Sequence, residues 1–205
     1  MRIDEDLAKF NSIKKLEKPI TFFGSARLDK SDFYYEEAKK LAFKFVEAGF
    51  CIISGGGGGI MQAANEGAFL ASKNLKLSQK EKDEKSVGFN ICLPFEQKSN
   101  DFIGYNITFE HLSVRKMALI QKSLAFVVFP GGFGTLDELL EILTLKQLGF
   151  KKVPIFLVGA KFWQGFDEFI KKALLEAKFI SKGDEKAYCI SDDLDFIFET
   201  IKEAL

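Results

Sequence analysis

Two periodicities alternate along the chain. Short, continuous apolar runs occur at Pro19–Gly24, Phe50–Ser54, Val87–Leu93, Leu124–Phe129 and Val153–Val158, with weaker ones near Ile107 and Tyr188. Between them, apolar residues recur three and four apart over Ser31–Ala48, Ile60–Lys73, Leu112–Ser123, Thr135–Leu148, Phe162–Ala177 and Asp192–Ala204. The runs predict strands and the spaced stretches predict amphipathic helices. Their alternation predicts an α/β domain, and the strands' lack of a polar face places them in a parallel sheet with helices on both faces. Ser31, Thr135 and Ser191 stand where helix caps belong, and Glu138 three residues after Thr135 has the form of a capping box. One stretch breaks the alternation: Ser72–Ser86 is lysine-rich with little apolar content and reads as an exposed, solvated loop.

Composition narrows the class. A length of 205 residues suits one domain, 1–205, with a sizeable core. Hydrophobic residues at 47% and charged ones at 28% describe a globular chain. Because 29 basic residues balance 29 acidic ones, no broad basic field points to nucleic acid or an anionic membrane. No run reaches the ~18 apolar residues of a membrane span. Met1–Phe10 mixes charged and apolar residues without a signal peptide's apolar centre, so the expected location is the cytoplasm. Cys51, Cys92 and Cys189 are far apart in strand-like runs and read as buried thiols. His111 is the sole histidine, which argues against a histidine-rich metal centre, and it reads as a helix-entry or packing residue. Neither a metal nor a cofactor is expected.

Chemistry concentrates where strands run into glycines. Pro130-Gly131-Gly132-Phe133-Gly134-Thr135-Leu136-Asp137-Glu138 joins one apolar run to a helical pattern, and Ser54 followed by Gly55 to Gly59 joins another. Glycines at a helix N-terminus let backbone N–H groups approach an anion. No Gly-Lys-Ser or Gly-Lys-Thr ends either run, and neither has glycines at first, third and sixth places, so a P-loop and an ordinary dinucleotide fingerprint are both demoted. Glu138, one turn into its helix, would repel a phosphate. Either it caps the helix with Thr135, or something cationic forms beside the phosphate during a reaction. Arginine is rare, at Arg2, Arg27 and Arg115. Arg27 and Arg115 therefore stand out as forks for phosphate or carboxylate, with surface ion pairs as the alternative.

Taken together, these motifs resemble the LOG family, often mislabelled lysine decarboxylases. Its Pro-Gly-Gly-x-Gly-Thr-x-x-Glu signature matches Pro130–Glu138 in full. Phe22–Arg27, Ser54–Ala68, Leu93–Gln97 and Val114–Lys116 are similar to further family segments, and the longer bacterial form is the nearer one. The resemblance implies a Rossmann-like fold and hydrolysis of the N-glycosidic bond of a nucleoside 5′-monophosphate, cytokinin riboside 5′-monophosphate or AMP. It also implies a homodimer or larger homo-oligomer, consistent with apolar residues on more than one face of Leu112–Ser123 and Thr135–Leu148.

Breaking that bond develops positive charge on the sugar, so a carboxylate there gains value in the transition state. Glu138 and Arg115 are the expected catalytic pair. Gly131, Gly132, Gly134 and Thr135 would take the 5′-phosphate, supported by Gly55, Gly56, Gly57 and Ser25. By resemblance, Glu96, Lys116 and Thr144 would also face substrate. Glu141, one turn beyond Glu138, is either a second site carboxylate or an exposed residue. The rival reading is a non-catalytic nucleotide or molybdenum-cofactor carrier of the same fold. Lysine decarboxylation would need pyridoxal phosphate on a Schiff-base lysine, and Lys116, the lysine in a core motif, has no pyridine-binding context.

Overall fold

The computed structural model describes residues 3–93 and 98–205. Seven parallel strands form one sheet: β1 (Pro19–Phe23), β2 (Cys51–Ser54), β3 (Ser86–Ile91), β4 (Tyr105–Phe109), β5 (Ala125–Val128), β6 (Ile155–Leu157) and β7 (Cys189–Ile190). Their order is β4-β3-β2-β1-β5-β6-β7, in the Rossmann-like manner expected. The chain winds outward from β1 in one direction and then restarts at β5 on its other side. A crevice at the strands' carboxyl ends follows from that reversal.

Two apolar cores cover the sheet. On one face, α2 (Phe33–Glu47), α3 (Ile60–Asn74) and α8 (Leu194–Ala204) bury Phe22, Phe45, Ile60 and Ile197. On the other, α5 (Leu112–Gln121), α6 (Phe133–Gln147) and α7 (Ala160–Glu168) bury Phe89, Leu119, Leu139 and Trp163. The central strands β1, β2 and β5 are buried along their whole length, which explains their continuous apolar sequence. Edge strand β4 instead alternates, with Asn106 and Thr108 exposed.

Several elements depart from expectation. The first residues form a helix, α1 (Ile3–Asn11). Its buried Asp6 accepts hydrogen bonds from the backbone N–H of Glu110 (2.8 Å) and His111 (2.6 Å), at the entry to α5. His111 is thus a helix-entry residue, its Nδ1 lying 2.9 Å from the same carboxylate. The lysine-rich stretch holds a short helix, α4 (Gln79–Lys85), closed by a capping box of Ser78 and Glu81. Asp32 and Asp193, rather than Ser31 and Ser191, cap α2 and α8. The rod begun by α7 passes into a π-helical turn, Phe169–Leu175. Among the described residues, no helix is long and apolar enough to cross a membrane.

Candidate active site

The turn after β1 is stitched to both glycine runs. The Ser25 N–H donates to the Pro130 carbonyl at 2.9 Å, and the Ser25 carbonyl accepts from the Ile60 N–H at 2.9 Å. This brings three strand ends to one crevice, a cavity of about 780 Å³. Close approach requires glycine where the turn after β1 meets the two runs. A Cβ on Gly131 would lie 2.1 Å from Thr135 Oγ1, and one on Gly59, whose φ is +61°, would lie 2.1 Å from the Ser25 carbonyl oxygen.

Helix α6 begins two residues earlier than expected. Gly132 is its N-cap and supplies no side chain, so Thr135 and Glu138 form no capping box. Its first-turn N–H groups have no partner within the helix and open toward the crevice, where Gly132, Phe133, Gly134 and Thr135 line the wall. Helix α3 likewise starts at a glycine, Gly59, without a side-chain cap.

Freed from capping, Glu138 turns to Arg115. Arg115 Nη1 stands 3.3 Å from Glu138 Oε1, and Arg115 Nε donates to the Phe89 carbonyl at 2.8 Å. Both are largely buried, with side-chain exposures of 10% and 12%. The guanidinium lies against the Gly55 backbone, where a Cβ would fall 2.1 Å from Nη2. Burial dominates the charge of both groups. It pushes the Glu138 carboxyl up to about 7, against the downward pull of Arg115, and it lowers Arg115 against the opposing pull of Glu138. A buried pair whose attraction does not fully offset its desolvation behaves this way. At neutral pH Glu138 can therefore take or release a proton.

The expected site residues separate into groups. Ser25, Gly55, Gly132, Gly134, Thr135, Arg115 and Glu138 all border the cavity. Gly131 lies behind its wall, against Thr135 and the Ser25 N–H. Gly56 and Gly57 are not among the cavity's lining residues; the Gly56 carbonyl accepts from the Asn100 N–H and the Gly57 carbonyl from Asn100 Nδ2. Lys116 Nζ bridges Asp137 (3.0 Å) and Glu141 (2.8 Å), which occupies Glu141 away from the cavity. The Thr144 hydroxyl donates to the Leu140 carbonyl, one turn back in α6. Glu96 lies outside the described residues. Arg27 borders the cavity and forms no salt bridge among the described residues.

One lining residue escaped the sequence reading. Asn90, 7% exposed, points from the end of β3 into the cavity. An amide inside the otherwise apolar run Val87–Leu93 is the signal that could have found it.

Comparison with known proteins gives the chain's relatives. Residues 61–201 match the family described as possible lysine decarboxylase. The cytokinin riboside 5′-monophosphate phosphoribohydrolase LOG2 of Arabidopsis thaliana is 31% identical over 166 residues, covering 78% of this chain and 70% of its own. A probable enzyme of the same name, LOGL3 from Oryza sativa subsp. japonica, is 27% identical over 173 residues, covering 82% and 74%. Among solved structures, the Moco carrier protein of Chlamydomonas reinhardtii matches with a TM-score of 0.62 at 18% identity, over 92% of this chain and 97% of that one. The molybdenum cofactor binding protein of Rippkaea orientalis matches at 0.61 and 17% identity, over 94% and 98%. At such identity the structural likeness speaks for the fold.

Proposed function

The chain belongs to the LOG family, and from that premise we propose that it hydrolyses the N-glycosidic bond of nucleoside 5′-monophosphates, cytokinin riboside 5′-monophosphates or AMP, to free base and ribose 5-phosphate. The observation that carries the reading is the buried Glu138 carboxyl, held by Arg115 beside an uncapped helix N-terminus. In this reading the 5′-phosphate rests on the first-turn N–H groups of α6, with Ser25 and Gly55 alongside. That anchors the sugar with its anomeric carbon toward Glu138.

As the base departs, positive charge grows on the sugar ring. A carboxylate in a water-poor pocket stabilises that charge more strongly than it stabilises the neutral ground state. The bond from the anomeric carbon to the base nitrogen breaks, the leaving nitrogen gains a proton, and a water oxygen joins the carbon. The proton lost by that water passes to ionised Glu138 and from it to the departed nitrogen, which returns Glu138 to its ionised form, and a value near 7 suits both transfers. Arg115 orients the carboxyl through its fixed fork. Lys116 and Thr144 are not used by this reading.

The carrier alternative rests on the fold likeness to molybdenum cofactor proteins. A carrier needs the cradle but has no evident use for a buried carboxyl beside it. Incubation with a panel of nucleoside 5′-monophosphates, following free base by chromatography, separates the two. Release of base is expected, and intact nucleotide throughout the panel would refute the hydrolase reading.

The proposal includes a homodimer. Leu140 and Leu148 on and after α6, and Phe150 beyond it, are 48%, 61% and 77% exposed, an apolar surface that a second copy would cover. Light scattering that shows only monomer would refute this part.

A further inference from the structure

Asn90 is a buried amide with a purpose that packing does not supply. Its Nδ2 donates to Asn106 Oδ1 at 2.5 Å, and Asn106 Nδ2 donates to Ser99 Oγ at 3.3 Å. This chain of donors fixes the orientation of the Asn90 amide and leaves its oxygen, Oδ1, as an acceptor with no hydrogen bond among the described residues. No side-chain polar atom among those residues is both buried and unpaired, so that oxygen is open to the cavity that Asn90 lines. The amide plane lies on Gly56, where a Cβ would come within 2.3 to 2.5 Å of its atoms.

Its neighbours say what the acceptor faces. Gly55, next to Gly56, carries the Arg115 guanidinium, and Phe89, next to Asn90, supplies the carbonyl that holds Arg115 Nε. The free oxygen therefore opens into the same cavity that Arg115 and Glu138 line. Resting on the reading that places Glu138 at the anomeric carbon, we propose that Asn90 accepts a hydrogen bond from the 2′-hydroxyl, the donor on the adjoining ring carbon. Asn90 thereby makes the site selective for ribose over 2′-deoxyribose. A site built around a buried acceptor rejects a ligand that lacks the matching donor, because the acceptor is then dry and unpaired.

The test compares two ligands on three proteins. Binding of ribose 5-phosphate and of 2-deoxyribose 5-phosphate is measured by calorimetry on wild type, Asn90→Ala and Asn106→Ala, together with hydrolysis of AMP and 2′-deoxy-AMP. Wild type should prefer the ribo form by about tenfold or more, the scale of one hydrogen bond to a buried group. Asn90→Ala should abolish the preference, weakening the ribo ligand and, with no acceptor left to strand, leaving the deoxy ligand bound as well as before or better. Asn106→Ala, which keeps the acceptor but frees the amide to rotate, should reduce the preference in part. Equal affinity of wild type for the two sugars would overturn the proposal. So would an Asn90→Ala variant, or the Asn106→Ala variant if Asn90→Ala does not fold, that binds both sugars less well by the same factor. Because the sugar phosphates are bound and not cleaved, a preference lost in Asn90→Ala supports this assignment even if no nucleotide is hydrolysed, an outcome that would sink only the hydrolase reading.

Discussion

Replacing Glu138 with Gln should make the protein more stable while it destroys activity. The carboxyl is buried, and its value rises from the ordinary 4.5 to about 7 on folding. A group raised in this way contributes stability that is fully present below its unfolded value and is lost as pH climbs through its folded one. In the alkaline range the wild-type protein must hold an ionised carboxylate that burial penalises, and Gln lifts that penalty. At about 1.4 kcal/mol per pH unit, the rise from 4.5 to about 7 gives a gain of about 3 kcal/mol at pH 8 but only about 1 kcal/mol at pH 5. Urea unfolding of both proteins at pH 5 and pH 8 measures the two differences. An equal effect at both pH values, or a Gln protein less stable at both, would refute the reasoning. Either would mean that Arg115 keeps Glu138 ionised and that the pair is net stabilising.

Other perturbations follow from the same geometry. Since only ionised Glu138 stabilises the sugar cation, kcat/KM for a nucleotide substrate should climb through an acid limb with an apparent value near 7, and a plateau extending down to pH 5 would contradict it. Arg115→Lys loses the fork shared between Phe89 and Glu138 and should lower kcat/KM by roughly two decades, read in steady-state assays with AMP. Gly131→Ala forces Thr135 and the Ser25 turn aside, so ribose 5-phosphate should bind at least about tenfold more weakly in calorimetry. Asp6→Ala leaves the α5 entry without its acceptor and should cost about 2–3 kcal/mol in urea unfolding at pH 7. Burial by itself would raise the Asp6 carboxyl, but hydrogen bonds from His111, Lys9 and Glu110 outweigh it and hold the group well below the usual range. Its contribution should therefore be present at neutral pH and lost as pH falls through that low folded value.

The sequence made the sheet legible because β1, β2 and β5 are buried on both faces and so read as unbroken apolar runs. Helix α1 was hidden because Asp6 is buried by contacts made 104 and 105 residues away, which no local pattern reveals. Helix α4 was hidden for the opposite reason: it has no buried residue and is held by its Ser78–Glu81 cap. The start of α6 was misread since Gly132 and Gly134 have poor helix propensity, yet the N-cap Gly132 lacks a side chain to cap the helix, and both glycines line the crevice. Residue type and spacing brought Glu138, Arg115 and the glycine turns forward together. Asn90 needed the register of β3 against β4, which pairs Gly88 with Asn106 and Asn90 with Thr108 and so brings the Asn90 amide diagonally within reach of Asn106, a placement beyond what spacing encodes.

The central claim is that an acid on α6 acts on a sugar whose phosphate the neighbouring backbone holds. Release of ribose 5-phosphate from AMP, followed side by side for wild type and Glu138→Gln, tests it most directly. Steady release by wild type and a rate lower by roughly two decades or more in the variant is the predicted result. Equal rates in the two proteins, or none in either, would contradict it.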